Sequence, residues 1–377
     1  MSDKVEVSAR AAAIEYAIRD VVAPAVELEK QGHEIIRLNI GDPLAYEGLP
    51  TPEHMIAAYK EALDAQDNGY GPSYGLPPLR QAIAIAETNK GWMCKEGDVY
   101  VTHGVTVALQ IIFAAFLESG DKVLVPGPHY PPYMAYPQMY GASTVEYRLD
   151  SQNGWRIDLE DIRSKMDDNV RLLVLINPNN PTGTYNTHEE VYLLLKKIPS
   201  SVLVVLDCAY FEYVIKEDYV KPINLLEEFD NLLITKTFSK IHGLASIRVG
   251  YGIANSSLIE MLNRIRQPFN VNALAQAMAA TAISDHEHIN KSIKLNAQQY
   301  KLLFGELTKL GLDCIPSVGN FITFKGDFVG NEMFNSLMKK GIIVRPVDLY
   351  EMKDFIRVTI GTEAENLQFL GALKQLL

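Results

Sequence analysis

From residue 98 to residue 253, apolar runs alternate with helix-like segments, and this alternation constrains the fold more than any other feature of the chain. The runs consist largely of Val, Ile and Leu and have no polar face, as in KVLVP, RLLVLI and SVLVVL. Strands of that kind are buried on both faces, which is typical of a parallel sheet covered by helices. Seven such runs, the last being RVGYGIA, predict an α/β fold with a mostly parallel sheet of the seven-stranded type.

The pattern of apolar and polar residues changes after about residue 285. A long polar helix is expected there, followed by helix and strand patterns that include FITF, GIIVRPV and FIRVTIG. This pattern predicts a smaller α+β domain, which an N-terminal helix ending near Gly32 and a short strand, EIIRLNI, would join. We therefore expect a large domain at 46–285 and a small domain formed by 1–45 and 286–377.

Composition excludes several classes of protein. The net charge of −11 argues against nucleic acid or an anionic membrane as the main partner. No apolar run is long enough to span a bilayer, and the N-terminus lacks the apolar core of a signal peptide. Cys94, Cys208 and Cys314 are too few and too scattered for a disulfide framework or a zinc site, so no metal is expected. These features favour a cytoplasmic protein.

The residues that could carry chemistry follow the predicted strands. Asp207 ends SVLVVLD, Lys240 lies in the turn after the next strand, and Arg248 enters the last strand. Ligands collect at the carboxyl ends of strands in such sheets. A pyridoxal phosphate site needs a lysine for a Schiff base, a carboxylate for the pyridine nitrogen and donors for the phosphate. Lys240, Asp207 and Arg248 meet these needs, with Thr237 and Ser239 as further donors to phosphate.

Other residues suit the same site. Tyr210 in DCAY and Asn180 in NNPTG could contact the phenolic oxygen of the cofactor, and Tyr133 in PGPHYPPY could stack on its ring. The strand-to-helix junction after DVYVTH could bind the phosphate through backbone N–H groups, and its residues are Gly104, Val105 and Thr106.

Each of these residues also has an ordinary explanation when taken alone. A lysine is usually a surface residue, Asp207 could cap a turn, and Arg248 could form a structural salt bridge. Asn180 could serve turn chemistry, and Tyr133 could pack in the core. Arg357, in the middle of FIRVTIG, needs an anionic partner, either a substrate carboxylate or an internal acid. The combination of NPNNPTG, DCAY and TFSK, in this order, is what favours a cofactor site.

Taken together, these motifs resemble the fold-type I, class I and II aminotransferases across nearly the whole chain. The resemblance implies that Lys240 is the Schiff-base lysine and Asp207 the partner of the pyridine nitrogen. It implies the roles given above for Tyr210, Asn180 and Tyr133, and for the phosphate ligands. It adds Tyr70, in GYGPSYGLPPLR, as a contact to the phosphate of the neighbouring subunit in a homodimer. Arg357 and the backbone of Gly41, in NIGDP, match the site that grips the substrate α-carboxylate.

The subfamily signal is split. Residues 1 to about 185 look like archaeal-type alanine aminotransferases, as in IRLNIGDP and PGPHYPPY. Residues from about 200 onward look like histidinol-phosphate aminotransferases, as in TFSKIHGLASIRVGYGIA and RQPFNVN. The split indicates a recombined or engineered chimera, or a divergent natural hybrid.

The substrate hypothesis follows from the second half. Arg345, in GIIVRP, matches the arginine that reads the phosphate in histidinol-phosphate enzymes, and Asn270 lies in a matching loop. The resemblance therefore implies transfer of an amino group from histidinol phosphate to an oxo acid such as 2-oxoglutarate, in histidine biosynthesis. An exposed or salt-bridged Arg345 is the ordinary alternative. An alanine or aromatic amino-acid aminotransferase, a pyridoxal-phosphate-dependent C–S lyase and a non-catalytic binding protein remain as other interpretations.

Overall fold

A computed structural model describes residues 5, 7–8, 27–30, 32, 34–41, 49–66 and 69–377. Its helices are α1 (Glu53–Asp64), α2 (Pro77–Thr88), α3 (Gly104–Phe116), α4 (Pro132–Met139), α5 (Leu159–Lys165), α6 (His188–Lys197), α7 (Pro222–Leu225), α8 (Ser256–Asn263), α9 (Ala273–Ala282), α10 (His286–Lys309), α11 (Gly330–Met338) and α12 (Glu363–Lys374). Its strands are β1 (Ile36–Arg37), β2 (Val99–Thr102), β3 (Lys122–Gly127), β4 (Ser143–Asp150), β5 (Arg156–Ile157), β6 (Val170–Ile176), β7 (Leu203–Asp207), β8 (Leu232–Thr237), β9 (Gly250–Ile253), β10 (Asp313–Ile315), β11 (Phe321–Lys325), β12 (Ile342–Ile343), β13 (Arg345–Pro346) and β14 (Phe355–Thr359).

The predicted large sheet is present, with strand order β2-β9-β8-β7-β6-β3-β4-β5. The pairs from β8 through β7, β6 and β3 to β4 are parallel, which confirms the mostly parallel arrangement. Strand β9 runs antiparallel to both β8 and β2, and the two-residue β5 adds an eighth, antiparallel edge strand. The seven apolar runs therefore correspond to the seven longer strands.

Apolar side chains cover both faces of this sheet. One cluster contains Leu206 and Ile234 with residues of α2 and α9, and the other contains Val205 and Leu233 with residues of α3 and α4. Alternate residues of β7 and β8 thus point into different layers, as the period of a strand requires. The two layers fix the carboxyl ends of the central strands at one edge of the sheet.

Helix starts follow local sequence signals. The Thr187 hydroxyl accepts a bond from the N–H of Glu190, whose carboxylate accepts one from the N–H of Thr187, so a capping box begins α6. The Asp158 carboxylate accepts bonds from two N–H groups at the start of α5. These caps fix where α5 and α6 begin.

A second core lies among the C-terminal elements. Four strands form an antiparallel sheet in the order β10-β11-β14-β13, and β1 pairs with β12 in parallel. The second core includes Leu38, Ile343 and Phe369. The segment EIIRLNI thus joins the C-terminal elements as expected, but its strand is only two residues long. Strand β10 was missed by the sequence prediction, and the domain limits at residues 45 and 286 stay a prediction.

The predicted N-terminal helix lies mostly outside the described residues, of which 27–30 are helical. None of the helices in the part of the chain that the structure describes is both long and apolar enough to cross a bilayer.

Candidate active site

A cavity of about 290 Å³ lies where the central strands end and the C-terminal elements approach them. It brings together most of the predicted site residues, namely Gly41, Val105, Thr106, Asn180, Asp207, Tyr210, Thr237, Ser239, Lys240, Arg248, Arg345 and Arg357. Their positions in the chain range from the segment before α1 to the strand β14, so the cavity is built by tertiary folding.

Lys240 lies in the turn that follows β8. Its Nζ donates to the carbonyl oxygens of Ile40, at 3.1 Å, and Gly41, at 3.2 Å. It also lies 5.4 Å from the centre of the Tyr210 ring. Gly41 adopts a φ of +73°, and its N–H donates to the Thr359 hydroxyl at 2.9 Å. The lysine amine therefore points across the cavity toward the segment in which the substrate contact was predicted.

Asp207, at the end of β7, is 5% exposed. Its carboxylate accepts a bond from the Tyr133 hydroxyl at 2.6 Å and one from the N–H of Ala209 at 3.1 Å. Burial raises the pKa of Asp207, and these bonds oppose the rise because they stabilise the carboxylate. A buried carboxylate of this kind favours a cationic partner, which a protonated pyridine nitrogen would provide.

The structure contradicts the prediction that Tyr133 stacks on a cofactor. Its side chain is fully buried, bonds to Asp207 and packs edge-on against Phe113, at 6.5 Å between ring centres, so it does not line the cavity. Tyr130, three residues earlier, lines the cavity instead. Helix α4 begins at Pro132, so Tyr133 points inward from its first turn while Tyr130 stays in the loop before it.

One end of the cavity is formed by Arg248, which was predicted to bind a phosphate. Its Nη1 donates to the Ser239 hydroxyl at 3.1 Å and to the carbonyl of Ala245 at 2.9 Å. A β-carbon added to Gly104 would lie 2.6 Å from Nη2 of Arg248, so only glycine permits this approach. Gly104 also has a φ of +72° and begins α3, so the junction presents the free N–H groups of a helix start beside a guanidinium.

These groups fit pyridoxal phosphate. A guanidinium, hydroxyls and helix N–H groups lie at one end for the phosphate, and a buried carboxylate and a lysine amine line the same cavity. Thr237 is 8% exposed and its hydroxyl accepts a bond from the N–H of Ser239 at 3.0 Å, which shapes the turn before Lys240.

Arg357, on β14, is 7% exposed. Its Nη1 donates to Oδ1 of Asn180 and its Nη2 donates to the carbonyl of Asn39, both at 2.6 Å. The Asn180 oxygen is therefore taken by the arginine, which leaves its amide nitrogen as the group that could donate to a cofactor oxygen. Neutral oxygens orient the guanidinium of Arg357 without cancelling its charge. Sequence reasoning missed Asn39, because a backbone carbonyl carries no residue signal.

Arg345 and Arg357 are direct cross-strand partners in the antiparallel pair of β13 and β14. Both are less than a tenth exposed, and both line the cavity. Burial lowers the pKa of Arg357, and the nearby charge of Arg345 lowers it further. Among the described residues, no carboxylate forms an ion pair with either arginine. The alternative of a salt-bridged Arg345 is therefore not supported.

Tyr70 lies away from this cavity. It is 88% exposed, and its ring lies 4.7 Å from that of Phe269. Asn270 does not line the cavity either, and its side-chain oxygen accepts a bond from Arg266 at 3.4 Å. Within one chain, neither residue joins the site.

Residues 33–373 match the family described as aminotransferase class I and II. The chain is 37% identical to a histidinol-phosphate aminotransferase of Caldicellulosiruptor saccharolyticus over 87% of this chain and 89% of that protein. It is 37% identical to a histidinol-phosphate aminotransferase of Hydrogenovibrio crunogenus over 94% of this chain and 92% of that protein.

Solved structures are similar over nearly the full length. An alanine aminotransferase from Pyrococcus furiosus has a TM-score of 0.87 and 30% identity, covering 98% of this chain and 100% of that one. An aspartate aminotransferase from Thermus thermophilus with maleate has a TM-score of 0.89, covering 99% of this chain and 100% of that one. Its identity of 24% shows the fold alone.

The comparisons give no support for a chimera. The histidinol-phosphate aminotransferases match regions on both sides of the supposed join, and the alanine aminotransferase structure does so too.

Proposed function

The chain belongs to the class I and II aminotransferases, which use pyridoxal phosphate, and on that premise we propose that it moves the amino group of histidinol phosphate to 2-oxoglutarate. The observation that carries this proposal is the buried cross-strand pair of Arg345 and Arg357. The names of the relatives at 36–40% identity favour the same donor.

Two like charges opposite each other on a sheet destabilise it, and a buried charge without a partner costs several kcal/mol. Arg345 and Arg357 therefore favour a ligand that brings two negative charges. A phosphate monoester is such a ligand, because its dianion can accept bonds from both guanidinium groups. The two carboxylates of glutamate or 2-oxoglutarate supply the same charge in the second half of the reaction.

The remaining residues have separate tasks. Bound pyridoxal phosphate supplies an electron sink for the bond that breaks at the α-carbon of the donor. The Lys240 amine would remove the proton from that carbon as general base and deliver it to the C4′ carbon of the cofactor as general acid, and Asp207 would keep the pyridine nitrogen protonated. Arg248, Ser239 and the start of α3 hold the phosphate of the cofactor, while the Tyr130 ring, which lines the cavity, replaces Tyr133 as the ring that stacks on it.

The other donors fit less well. Alanine and the aromatic amino acids carry one carboxylate, so one arginine of the pair would stay without a partner. A C–S lyase would use the same cofactor residues, and no contact in the cavity favours it. We regard these activities as outcomes of the test and not as second candidates.

The assembly that we propose is a homodimer in which Tyr70 contacts the cofactor phosphate of the partner subunit. The exposed ring pair of Tyr70 and Phe269 supports it, because large exposed aromatic side chains are typical of protein interfaces. A cytoplasmic location stays a prediction.

The test is a half-reaction screen of the cofactor-loaded enzyme without an oxo acid. Histidinol phosphate, glutamate, alanine and phenylalanine are supplied in turn, and conversion of the cofactor to its amine form is followed by absorbance. Histidinol phosphate and glutamate should react at least about 10-fold faster than alanine, since one charge-assisted contact contributes roughly 1.5–3 kcal/mol.

Arg345→Leu should remove this preference, and Arg264→Leu, at an exposed position, is the matched control. A fast reaction with alanine and none with histidinol phosphate would contradict the proposal. Release of pyruvate and ammonia from cysteine, in place of transamination, would indicate a lyase.

A further inference from the structure

One side of the cavity has no role in the function proposed above. The α-carbon of histidinol phosphate carries an amino group, a phosphate-bearing arm and a ring-bearing arm. The amino group belongs at Lys240 and the phosphate at Arg345 and Arg357, so the ring-bearing arm must lie against another surface. Tyr350, half-buried, lines the same cavity and was not singled out by sequence reasoning.

Tyr350 lies close to the arginine pair along the chain. It ends the short 3-10 turn Asp348–Tyr350, which is separated from the end of β13 by Val347 alone. The N–H of Tyr350 donates to the carbonyl of Val347 at 3.1 Å, and the Asn331 amide donates to the Asp348 carboxylate at 2.5 Å. The turn that carries Tyr350 is therefore fixed at two points before any ligand binds.

The ring of Tyr350 is also supported from the side. His129 lies edge-on to it, with ring centres 5.9 Å apart at an angle of 76°. His129 is 4% exposed, and its Nε2 lies 3.2 Å from Oε1 of Glu146 while its Nδ1 lies 3.2 Å from the carbonyl of Tyr130. The contact of Nδ1 and the burial of the side chain hold the imidazole in place beside Tyr350, whereas Nε2 makes no hydrogen bond to any described residue.

We propose that Tyr350 is a specificity-determining residue whose ring packs against the planar side chain of the amino donor. Ring pairs of this kind add binding energy beyond the apolar area that they bury, and they favour a flat donor over an aliphatic one. The identity of the donor ring as imidazole rests on the proposed function, whereas the recognition of a ring does not.

The test compares donors that share an anion and differ only in the ring. Histidinol phosphate is paired with 2-aminopropyl phosphate, its counterpart without a ring, and phenylalanine is paired with alanine. For each pair, the ratio of kcat/KM is measured in the wild type, Tyr350→Leu, Tyr350→Phe and Leu349→Ala. Leu349 is 59% exposed on the same turn, so its variant controls for disturbance of the turn.

Tyr350→Leu should lower the ratio roughly 3- to 10-fold, whereas Tyr350→Phe and Leu349→Ala should keep it within about 2-fold of the wild type. If Tyr350→Leu lowers kcat/KM equally for both donors of a pair, the ratio is unchanged. Tyr350 would then have only a structural role, and the inference would be overturned. If the wild type rejects both phosphate donors, the proposed function fails, and the ratio for phenylalanine and alanine still decides whether Tyr350 reads a ring.

Discussion

The Tyr133 hydroxyl donates a 2.6 Å hydrogen bond to the carboxylate of Asp207, which lines the cavity. Burial raises the pKa of Asp207, and the bond from Tyr133 limits that rise. Tyr133, which was predicted to touch the cofactor, therefore contacts Asp207 instead, the acid that we propose as the partner of the pyridine nitrogen.

Tyr133→Phe should make the stability of the cofactor-free protein fall more steeply as pH rises. A raised folded pKa means that the contribution of Asp207 is fully present below its ordinary pKa, about 3.9, and is lost as pH rises through the folded value. Without the bond from Tyr133, the pKa of Asp207 in the folded protein rises further. The decrease in the free energy of unfolding between acidic and neutral pH then grows by about 1–2 kcal/mol. Denaturant unfolding at several pH values measures it.

Tyr147→Phe is the control for this experiment. Tyr147 is also buried, but its hydroxyl donates at 2.8 Å to the carbonyl of Val174, which does not titrate. The decrease in the free energy of unfolding that Tyr147→Phe causes should therefore be the same at every pH. If both variants show the same dependence on pH, the bond to Asp207 has no special effect.

Gly104→Ala should weaken cofactor binding by displacing Arg248. The new β-carbon would lie 2.6 Å from Nη2 of Arg248, and the positive φ of Gly104 adds backbone strain. Gly154→Ala is matched to it, because Gly154 has a φ of +66° but nothing within 4 Å of its added β-carbon. We expect the dissociation constant of the cofactor to rise at least about 10-fold in Gly104→Ala only, since the lost contacts are charge-assisted. A similar rise in both variants would assign the effect to strain.

Sequence reasoning located the cavity because its ligands follow buried strands. Asp207 is the last residue of β7 and Lys240 lies three residues after the end of β8, and such strands are visible as apolar runs. The antiparallel direction of β9 was not visible, because its apolar run has the same composition in either direction. The choice between Tyr130 and Tyr133 was equally hidden, since it depends on where α4 begins.

Contacts between residues that are far apart in the sequence could not be predicted, for a different reason. Asn180 and Arg357 are 177 residues apart, and only the packing of β14 against the NPNNPTG loop brings them together. The absence of an ion pair to Arg345, within the described part of the chain, is likewise a property of the folded protein. The residue types predicted a site for an anion. The pairing of Arg345 with Arg357 across two strands indicated that the site suits a ligand with two negative charges.

Glu87→Gln should lower the free energy of unfolding at neutral pH. The part that is lost should be the part that the wild type loses only on acidification. Glu87 is fully buried and accepts bonds from Lys236 at 3.0 Å, Lys90 at 2.7 Å and Tyr251 at 3.0 Å. Burial alone would raise its pKa, but the charges of Lys236 and Lys90 outweigh this and lower the pKa of Glu87 to about 2. The carboxylate therefore stabilises the fold above the ordinary pKa of Glu, and this stability is lost as pH falls toward 2.

The single variant leaves Lys236 buried and without its main partner, at a cost of roughly 3–5 kcal/mol. Glu87→Gln with Lys236→Met removes both charges and should recover most of that loss. Unfolding between pH 5 and pH 2 should show a weaker pH dependence in the double variant than in the exposed control Glu189→Gln. An identical acid transition in both would mean that Glu87 is not ionised in the folded protein.

The assignment of Tyr70 to the partner's site can be decided by subunit complementation. Lys240→Ala should abolish covalent attachment of the cofactor and activity, because no other residue supplies the amine at that position. Tyr70→Ala should be nearly inactive at limiting cofactor, because its phosphate contact is lost. The two variants are co-expressed with different affinity tags, and the heterodimer is purified through both.

If Tyr70 acts across the interface, one site of the heterodimer combines Lys240 of the first chain with Tyr70 of the second. That site is intact, so the heterodimer should recover about half of the wild-type activity per dimer, while both homodimers stay inactive. If Tyr70 acts within its own chain, each site keeps one defect and no activity returns. Tyr70 is 88% exposed and does not line the cavity of its own chain, which favours the first result, and recovery near zero would exclude the proposed assembly.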